Sequence, residues 1–172
     1  NNYSSSSLVK TKKYLLANEL PTQTEIKEIA ELSTKSENTL PTSVPFPQAD
    51  NVDRLLELLE FLSDDPKSVK EIASEYEFDE RQSDYYFNAL KFLGLAQNTE
   101  STDGIPQREL TALGQEIISK PYKEKVLALA KQMTQVKPIA NVYLASLKSS
   151  EPPTLELAKF ELANSSYGEK LS

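Results

Sequence analysis

Arg81, Gln82, Tyr85 and Asn88 are the residues of this chain whose types and spacing suit a defined chemistry. At helical pitch they fall on one side of a segment that runs from residue 79 to 93. Arg carries a planar donor fork that matches the acceptor edge of guanine, and Gln and Asn carry the donor–acceptor pair that matches adenine. Tyr85 on the same side either packs on a sugar-phosphate or thymine methyl or covers a neighbouring helix. The plain alternative for Arg81, Gln82 and Asn88 is a solvated helix face.

The segment that carries them has a marked start and stop. Asp79 is placed to cap its first turn, with Gln82 three residues on as the return partner of a capping box, and Gly94 supplies the left-handed residue that closes it. Tyr86, Leu90 and Leu93 form its apolar stripe, with Phe87 and Ser83 beside them. Upstream, Ser68-Val69-Lys70-Glu71 is a second capping box. It opens a short helix with Val69, Ile72, Ala73 and Tyr76 inward. Residues 77–79 join the two, and so tight a connection between short helices predicts a helix-turn-helix.

Before this pair, Asp50 is the expected cap of a helix whose Val52, Leu55, Leu56, Leu59 and Leu62 keep helical spacing, with Leu58 and Phe61 widening the stripe. After it, residues 95–99 are expected to pair with 105–110 across a tip containing Asp103-Gly104. Leu110-Thr111-Ala112-Leu113-Gly114 then leads into Ile117 and Ile118, with Thr111 as a cap and Gly114 allowing close backbone approach. Helix, helix, helix, hairpin, helix is the order of a winged helix. The predicted fold is therefore mainly α with a small β-hairpin: a winged helix-turn-helix over residues 46–120, with an N-terminal arm and a C-terminal helical extension.

Residues 1–45 read as that arm and a linker. Residues 1–7 are polar and Ser-rich. Residues 8–16 mix apolar residues with Lys10, Lys12 and Lys13 and fit a strand, a helix or a basic arm. Thr22 and Glu25 make a further capping box, opening a short helix with Ile26, Ile29, Ala30 and Leu32 that is expected to stop by Ser33. Pro41, Pro45 and Pro47 preclude a long element after it. Over residues 121–172, Pro121 restarts a helix with Val126, Leu127, Ala130 and Met133 on its apolar side. A second helix begins near Pro138 and runs over 139–147, and a third, after Pro152-Pro153-Thr154, over 155–163. The close of the chain suggests the first half of a second helix-turn-helix. The sole Met is Met133 and the sequence opens Asn1-Asn2-Tyr3, as expected of a fragment or a processed chain.

Composition narrows the chemistry. The 172 residues contain no Cys and no His, which excludes disulfides, thiolate sites and imidazole catalysis. No signal peptide and no membrane-length apolar run is present, so a cytoplasmic protein without membrane contact is expected. The net charge of −7 is unevenly spread. Residues 50–120 hold 16 acidic and 7 basic residues, residues 1–49 hold five of each, and residues 121–172 hold seven Lys against five Glu. A nucleic-acid module usually has a basic footprint, and the central segment lacks one. Lys91 and Arg108 are the nearest cations to the Arg81–Asn88 face, each reading on its own as a surface charge before a phosphate contact. Lys10, Lys12 and Lys13 read as a plain tail or as a phosphate-seeking arm, and the C-terminal lysines Lys123, Lys125, Lys131, Lys137 and Lys148 offer a further source of phosphate contacts.

Phe46-Pro47-Gln48-Ala49-Asp50-Asn51, Phe78-Asp79-Glu80-Arg81-Gln82-Ser83-Asp84-Tyr85-Tyr86, Leu93-Gly94-Leu95 and Leu110-Thr111-x-x-Gly114 together resemble the winged-helix domain of certain bacterial restriction-modification proteins and of relatives described as transcriptional regulators. The resemblance covers about residues 45–170. Its post-wing motif is common among winged helices, whereas the Asp-x-Arg-Gln-x-Asp-Tyr-Tyr run is more particular. Ser83 stands where that pattern has Gly. The resemblance implies an accessory DNA-recognition module whose nuclease chemistry lies elsewhere in a longer chain.

A magnesium nuclease of the commonest restriction type needs Pro-Asp and Asp/Glu-x-Lys elements. Glu25-Ile26-Lys27 and Asp65-Pro66-Lys67 match only the second, a pattern that arises by chance in so charged a chain, and the four glycines form no phosphate loop. No enzyme activity and no cofactor are expected of this chain. Two functions from different classes follow. The first is reading double-stranded DNA with the helix over 80–93, using Arg81, Gln82, Tyr85, Asn88, Lys91, Arg108 and the Lys10, Lys12 and Lys13 arm. The second is an acidic winged-helix domain that docks a protein, a downstream nuclease domain or a second copy of itself.

Overall fold

The computed structural model describes residues 21–36, 46, 47, 49, 51–76, 80–149 and 152–165. Among them are eight helices and one two-stranded antiparallel sheet. In chain order they are α1 (Gln23–Thr34), α2 (Val52–Phe61), α3 (Val69–Glu75), α4 (Glu80–Phe92), β1 (Ala96–Glu100), β2 (Pro106–Leu110), α5 (Ala112–Ile118), α6 (Tyr122–Met133), α7 (Lys137–Lys148) and α8 (Leu155–Ala163). The expected mainly helical chain with one small hairpin is present. None of these helices is long and apolar enough to cross a membrane.

Local chemistry sets most of the boundaries. The Ser68 hydroxyl accepts from the Glu71 amide at 3.3 Å while the Glu71 carboxylate accepts from the Ser68 amide at 2.8 Å, so two otherwise unpaired donors at the start of α3 are satisfied. Thr22 and Glu25 do the same for α1, at 3.2 and 2.6 Å. At the other end of the central helix, Gly94 takes φ +71°, the Gly94 amide donates to the Lys91 carbonyl and the Leu95 amide to that of Leu90. This is the paired closure that a left-handed residue after a helix permits. The expected Asp79–Gln82 capping box lies outside the described residues. So does Asp50; the N-cap of α2 is Asn51, whose Oδ1 accepts from the amides of Asp53 and Arg54.

The core is built where α2, α3, α4 and the hairpin meet. Leu55, Leu56, Leu58, Leu59 and Leu62 come from the first of these, Ile72 from the second, and Tyr86, Phe87, Ala89, Leu90 and Phe92 from the third. Leu93, Leu95, Leu110 and Ile117 close it from below. Each fully buried Leu, Ile or Phe contributes about 1.5–3 kcal/mol, so this convergence is the main stabilising term. Val52, expected in the α2 stripe, is 44% exposed, because it sits in the first turn, ahead of the packed stretch.

The strands pair from Ala96 opposite Leu110 to Glu100 opposite Pro106. Gly104, at φ +74°, turns the tip. Lys67, between α2 and α3, exchanges both backbone hydrogen bonds with Arg108, at 2.9 and 2.8 Å, and so adds a one-residue third rung beside β2. Thr111 caps α5 by accepting from the Gly114 amide at 3.1 Å, and its hydroxyl donates to the Gly94 carbonyl at 2.7 Å. The strand-to-helix junction is thereby tied to the end of α4.

Two findings differ from the sequence reading. In α6 the buried residues are Lys125 and Leu129, whereas Val126, Leu127, Ala130 and Met133 are only half-buried. The helix is covered from more than one side, by α5 and by α1, so burial is spread around it and no single stripe dominates. Second, α1 extends through Ser33, which is buried with its hydroxyl donating to the Ile29 carbonyl at 2.7 Å. The segment assigned to arm and linker therefore contains a docked helix. It packs on α7 and α6, Tyr143 donating to the Ile26 carbonyl at 3.4 Å and Ser36 to that of Gln135 at 2.8 Å. Leu32, by contrast, is exposed. The expected start of a second helix-turn-helix falls partly on residues 166–172, outside the described residues.

Gly114 carries the sharpest steric constraint. A Cβ there would lie 2.1 Å from the Leu95 carbonyl oxygen and 3.2 Å from the Leu110 Cβ. Gly114→Ala should therefore destabilise the protein by about 2–3 kcal/mol, although Ala is worth roughly 1 kcal/mol more than Gly as a helix former. The check is a lower urea midpoint at unchanged slope; an unchanged midpoint refutes the close approach. At the α1 boundary, the backbone hydrogen bond from Thr22, helped by Lys123 at 3.0 Å, holds the Glu25 carboxyl below its usual range. Its folded value is depressed, so its contribution is present above the ordinary glutamate range and lost as pH falls through the lowered value. Equilibrium unfolding of Glu25→Gln and wild type should differ at neutral pH and converge once the pH falls below that lowered value.

Candidate nucleic-acid interface

The two faces of α4 differ in its first half; in its second half Ala89 and Phe92, which at helical pitch fall on the side of Arg81 and Tyr85, are buried as well, Phe92 meeting Phe46 edge-on at 5.6 Å. Ser83, Tyr86, Phe87, Ala89, Leu90 and Phe92 are buried. Glu80, Arg81 and Gln82 are exposed, and Asp84, Tyr85, Asn88 and Lys91 are half-buried. Arg81, Gln82 and Tyr85 thus lie on the outer side of the first two turns and Asn88 on the same side of the third, and α3 and α2 pack against the inner side. Lys91 lies in the last turn of the helix, where a cation suits the partial negative charge of the unpaired carbonyls.

Arg81 and Tyr85 are joined. The Arg81 Nε donates to the Tyr85 hydroxyl at 2.5 Å, and the guanidinium carbon stands 5.5 Å from the centre of the Tyr85 ring. One turn apart on the helix, the two side chains form a single cation–aromatic unit on the outer face.

Arg108 is placed differently from the sequence reading, which puts it at the surface of the hairpin as a phosphate contact. It is 6% exposed. Its Nη2 pairs with Asp84, its Nη1 donates to the Ser83 hydroxyl at 3.1 Å and reaches the Ser83 carbonyl at 3.4 Å, and its guanidinium stacks 4.4 Å from the centre of the Phe87 ring. The strand register explains this. Leu110 and Arg108, two apart on β2, point to the same inner side, and the helix they meet there is α4. A guanidinium that has lost most of its water is held by a carboxylate, a hydroxyl and a ring face together. Arg108 thereby fastens the hairpin to the start of α4 and neutralises Asp84.

Ser83, where the resembling family has Gly, supplies one of those hydrogen bonds. No local pattern marks it as a ligand of an Arg 25 residues away.

The remaining cations are largely engaged. Lys123, Lys125 and Lys131 on α6 pair with Glu25, Glu60 and Glu28 at 3.0, 3.1 and 3.0 Å, joining that helix to α1 and α2. Lys67 pairs with Asp65 and lies 5.1 Å from the centre of the Phe61 ring. The Asp65-Pro66-Lys67 and Glu25-Ile26-Lys27 runs thus carry structural contacts through Asp65, Lys67 and Glu25. Lys10, Lys12 and Lys13 lie outside the described residues. Among those described, no group of three or more Asp or Glu gathers as a metal site would require.

A family model described as "Domain of unknown function (DUF7226)" matches residues 54–169, most of the chain. No curated protein and no solved structure matches.

The Arg108–Asp84 pair is asymmetric, and the asymmetry is measurable. Asp84 is half exposed while the Arg108 side chain is 7% exposed. Removing the carboxylate in Asp84→Ala strands a buried charge and should cost roughly 3 kcal/mol. Arg108→Met removes the charge together with its desolvation and leaves Asp84 to water, so it should cost about 1 kcal/mol or less. Urea unfolding of the two variants checks the order; the reverse order refutes the internal role of Arg108.

Proposed function

We propose, for a chain that belongs to the DUF7226 family, a role as a winged helix-turn-helix module that reads double-stranded DNA with α4. The observation that carries this reading is the outer face of that helix. Arg81, Gln82 and Tyr85 in its first two turns and Asn88 in its third lie exposed or half-buried on one side. A helix-sized major groove admits such a face, and those residue types match base edges there. The arrangement around it supports the same reading. The α3–α4 pair is followed by a hairpin, and the Lys67–Arg108 rung supplies the short extra strand between first and second helices that a winged helix places beside its wing.

In this reading α4 enters the groove N-terminal end first and the hairpin tip, residues 101–105, lies toward the adjoining backbone. Asp84 sits on the same helix, and its pairing with Arg108 removes a charge that would oppose phosphate. Lys91 on the helix and Lys10, Lys12 and Lys13 supply the contacts to phosphate. On the resemblance noted above, the module would belong to a cytoplasmic restriction-modification protein, with strand cleavage carried by other residues than these; a transcriptional regulator built on the same module would read DNA in the same way.

One set of observations favours a second reading, an acidic docking domain. Arg108 is internal and Lys123, Lys125 and Lys131 are paired with glutamates, so the net charge of −7 is not offset by a cationic stripe from these residues. Leu155 and Phe160 of α8 are 68% and 63% exposed, which suits contact with protein.

Fluorescence anisotropy against random duplex and a selected pool, at low and physiological salt, separates the two. DNA reading predicts salt-sensitive binding and an enriched site. Gln82→Ala and Asn88→Ala should then each lose about 1–3 kcal/mol of discrimination at single base pairs. Equal loss on every sequence overturns base readout. No binding at low salt, with self-association in sedimentation, establishes the docking domain.

A further inference from the structure

We propose that Arg81 and Tyr85 act as one pre-organised reader of a single guanine; this rests on the DNA-reading function of α4. The argument starts from competition for partners. On a helix, Arg81 and Asp84 are three residues apart and would ordinarily pair. Asp84 instead pairs with Arg108 from β2, which approaches from the core side. Arg81 is therefore left to Tyr85, one turn on, and the hydrogen bond forms through Nε at 2.5 Å.

Which nitrogen is used matters. A guanidinium has five N–H donors in a rigid plane, one on Nε and two on each Nη. Engaging Nε against the phenol oxygen, with the guanidinium carbon 5.5 Å from the ring centre, restrains the plane and leaves the Nη edge outside that contact. That edge carries two parallel N–H donors, the match for O6 and N7 of guanine. Tyr85 is half-buried and so is itself restrained, whereas Arg81 is exposed. The ordering cost of a long side chain is met before DNA arrives. Lys in place of Arg81 would keep the charge and lose the fork. Tyr85 is the positioning residue and Arg81 the one that touches the base.

The test uses the full chain. A site selected from a random duplex pool is resynthesised with each base pair at each position, and binding is measured for wild type, Arg81→Ala, Arg81→Lys, Tyr85→Phe and the Arg81→Ala/Tyr85→Phe double variant. Wild type should prefer G·C at one position by roughly 10- to 100-fold. Tyr85→Phe keeps the ring and removes the acceptor, and should lower that preference several-fold at that position alone, with thermal stability and the salt dependence of binding unchanged. The double variant should lose no more than Arg81→Ala, because the two residues act through one contact. An intact guanine preference in Tyr85→Phe, or additive losses in the double variant, overturns the coupled reader while leaving DNA recognition standing. Absence of DNA binding by the wild type at low salt overturns both.

Discussion

Arg108 is a charged group in an apolar setting, and the packing around the start of α4 follows from how that charge is satisfied. Water is replaced by a carboxylate from Asp84, a hydroxyl and carbonyl from Ser83 and the face of Phe87, all on one helix. Its own backbone is paired with Lys67, at the entrance to α3. Three elements that are distant in sequence are thus referred to one side chain. The hairpin register is specified by the same contact, because a slip of one residue would turn Arg108 outward and bring Gln107 or Glu109 inward. The orientation of α4, and with it of its exposed face, depends on a correctly paired hairpin.

A second level of organisation comes from ion pairs between layers. Lys125 crosses from α6 to Glu60 on α2, while Lys123 and Lys131 cross to Glu25 and Glu28 on α1. The C-terminal lysines, a basic excess in the sequence, are neutralised locally by acidic residues of other elements. Around Tyr76, burial and the neighbouring Glu57, Glu75 and Glu60 push the phenol well above its usual range, so that ring remains neutral and packs edge-on against Phe61 at 5.9 Å.

How much of this was legible in the sequence depends on the distance over which the cause acts. Capping boxes at Thr22 and Ser68, the turn glycines Gly94 and Gly104, the Thr111 cap and the need for Gly at 114 are local in origin, and each is found where the residues indicate. The inner stripe of α4, Ser83, Tyr86, Phe87, Leu90 and Leu93, follows from periodicity in the same way, whereas the burial of Ala89 and Phe92 on its other side does not. What could not be read is set by long-range pairing. Arg108 and Asp84 meet only through the hairpin register, the partner of each α6 lysine is a matter of helix crossing, and Leu129 is buried because two layers converge on it. Ser83 belongs with these: its departure from the resembling pattern was visible, its hydrogen bond to Arg108 was not.

The docking of α1 onto α6 and α7 has a consequence for how the molecule comes into being. The contacts that hold it join residues 99, 103 and 117 positions apart, whereas the α2–α5 core is assembled from near neighbours. During synthesis from the N-terminus, the first helix emerges long before its binding surface exists and waits with its apolar side uncovered. The surface that covers it is complete only once α7 has been made. Closing so long a loop costs more chain entropy than pairing near neighbours, so the docking of α1 is opposed by a larger entropic term than the contacts within the α2–α5 core.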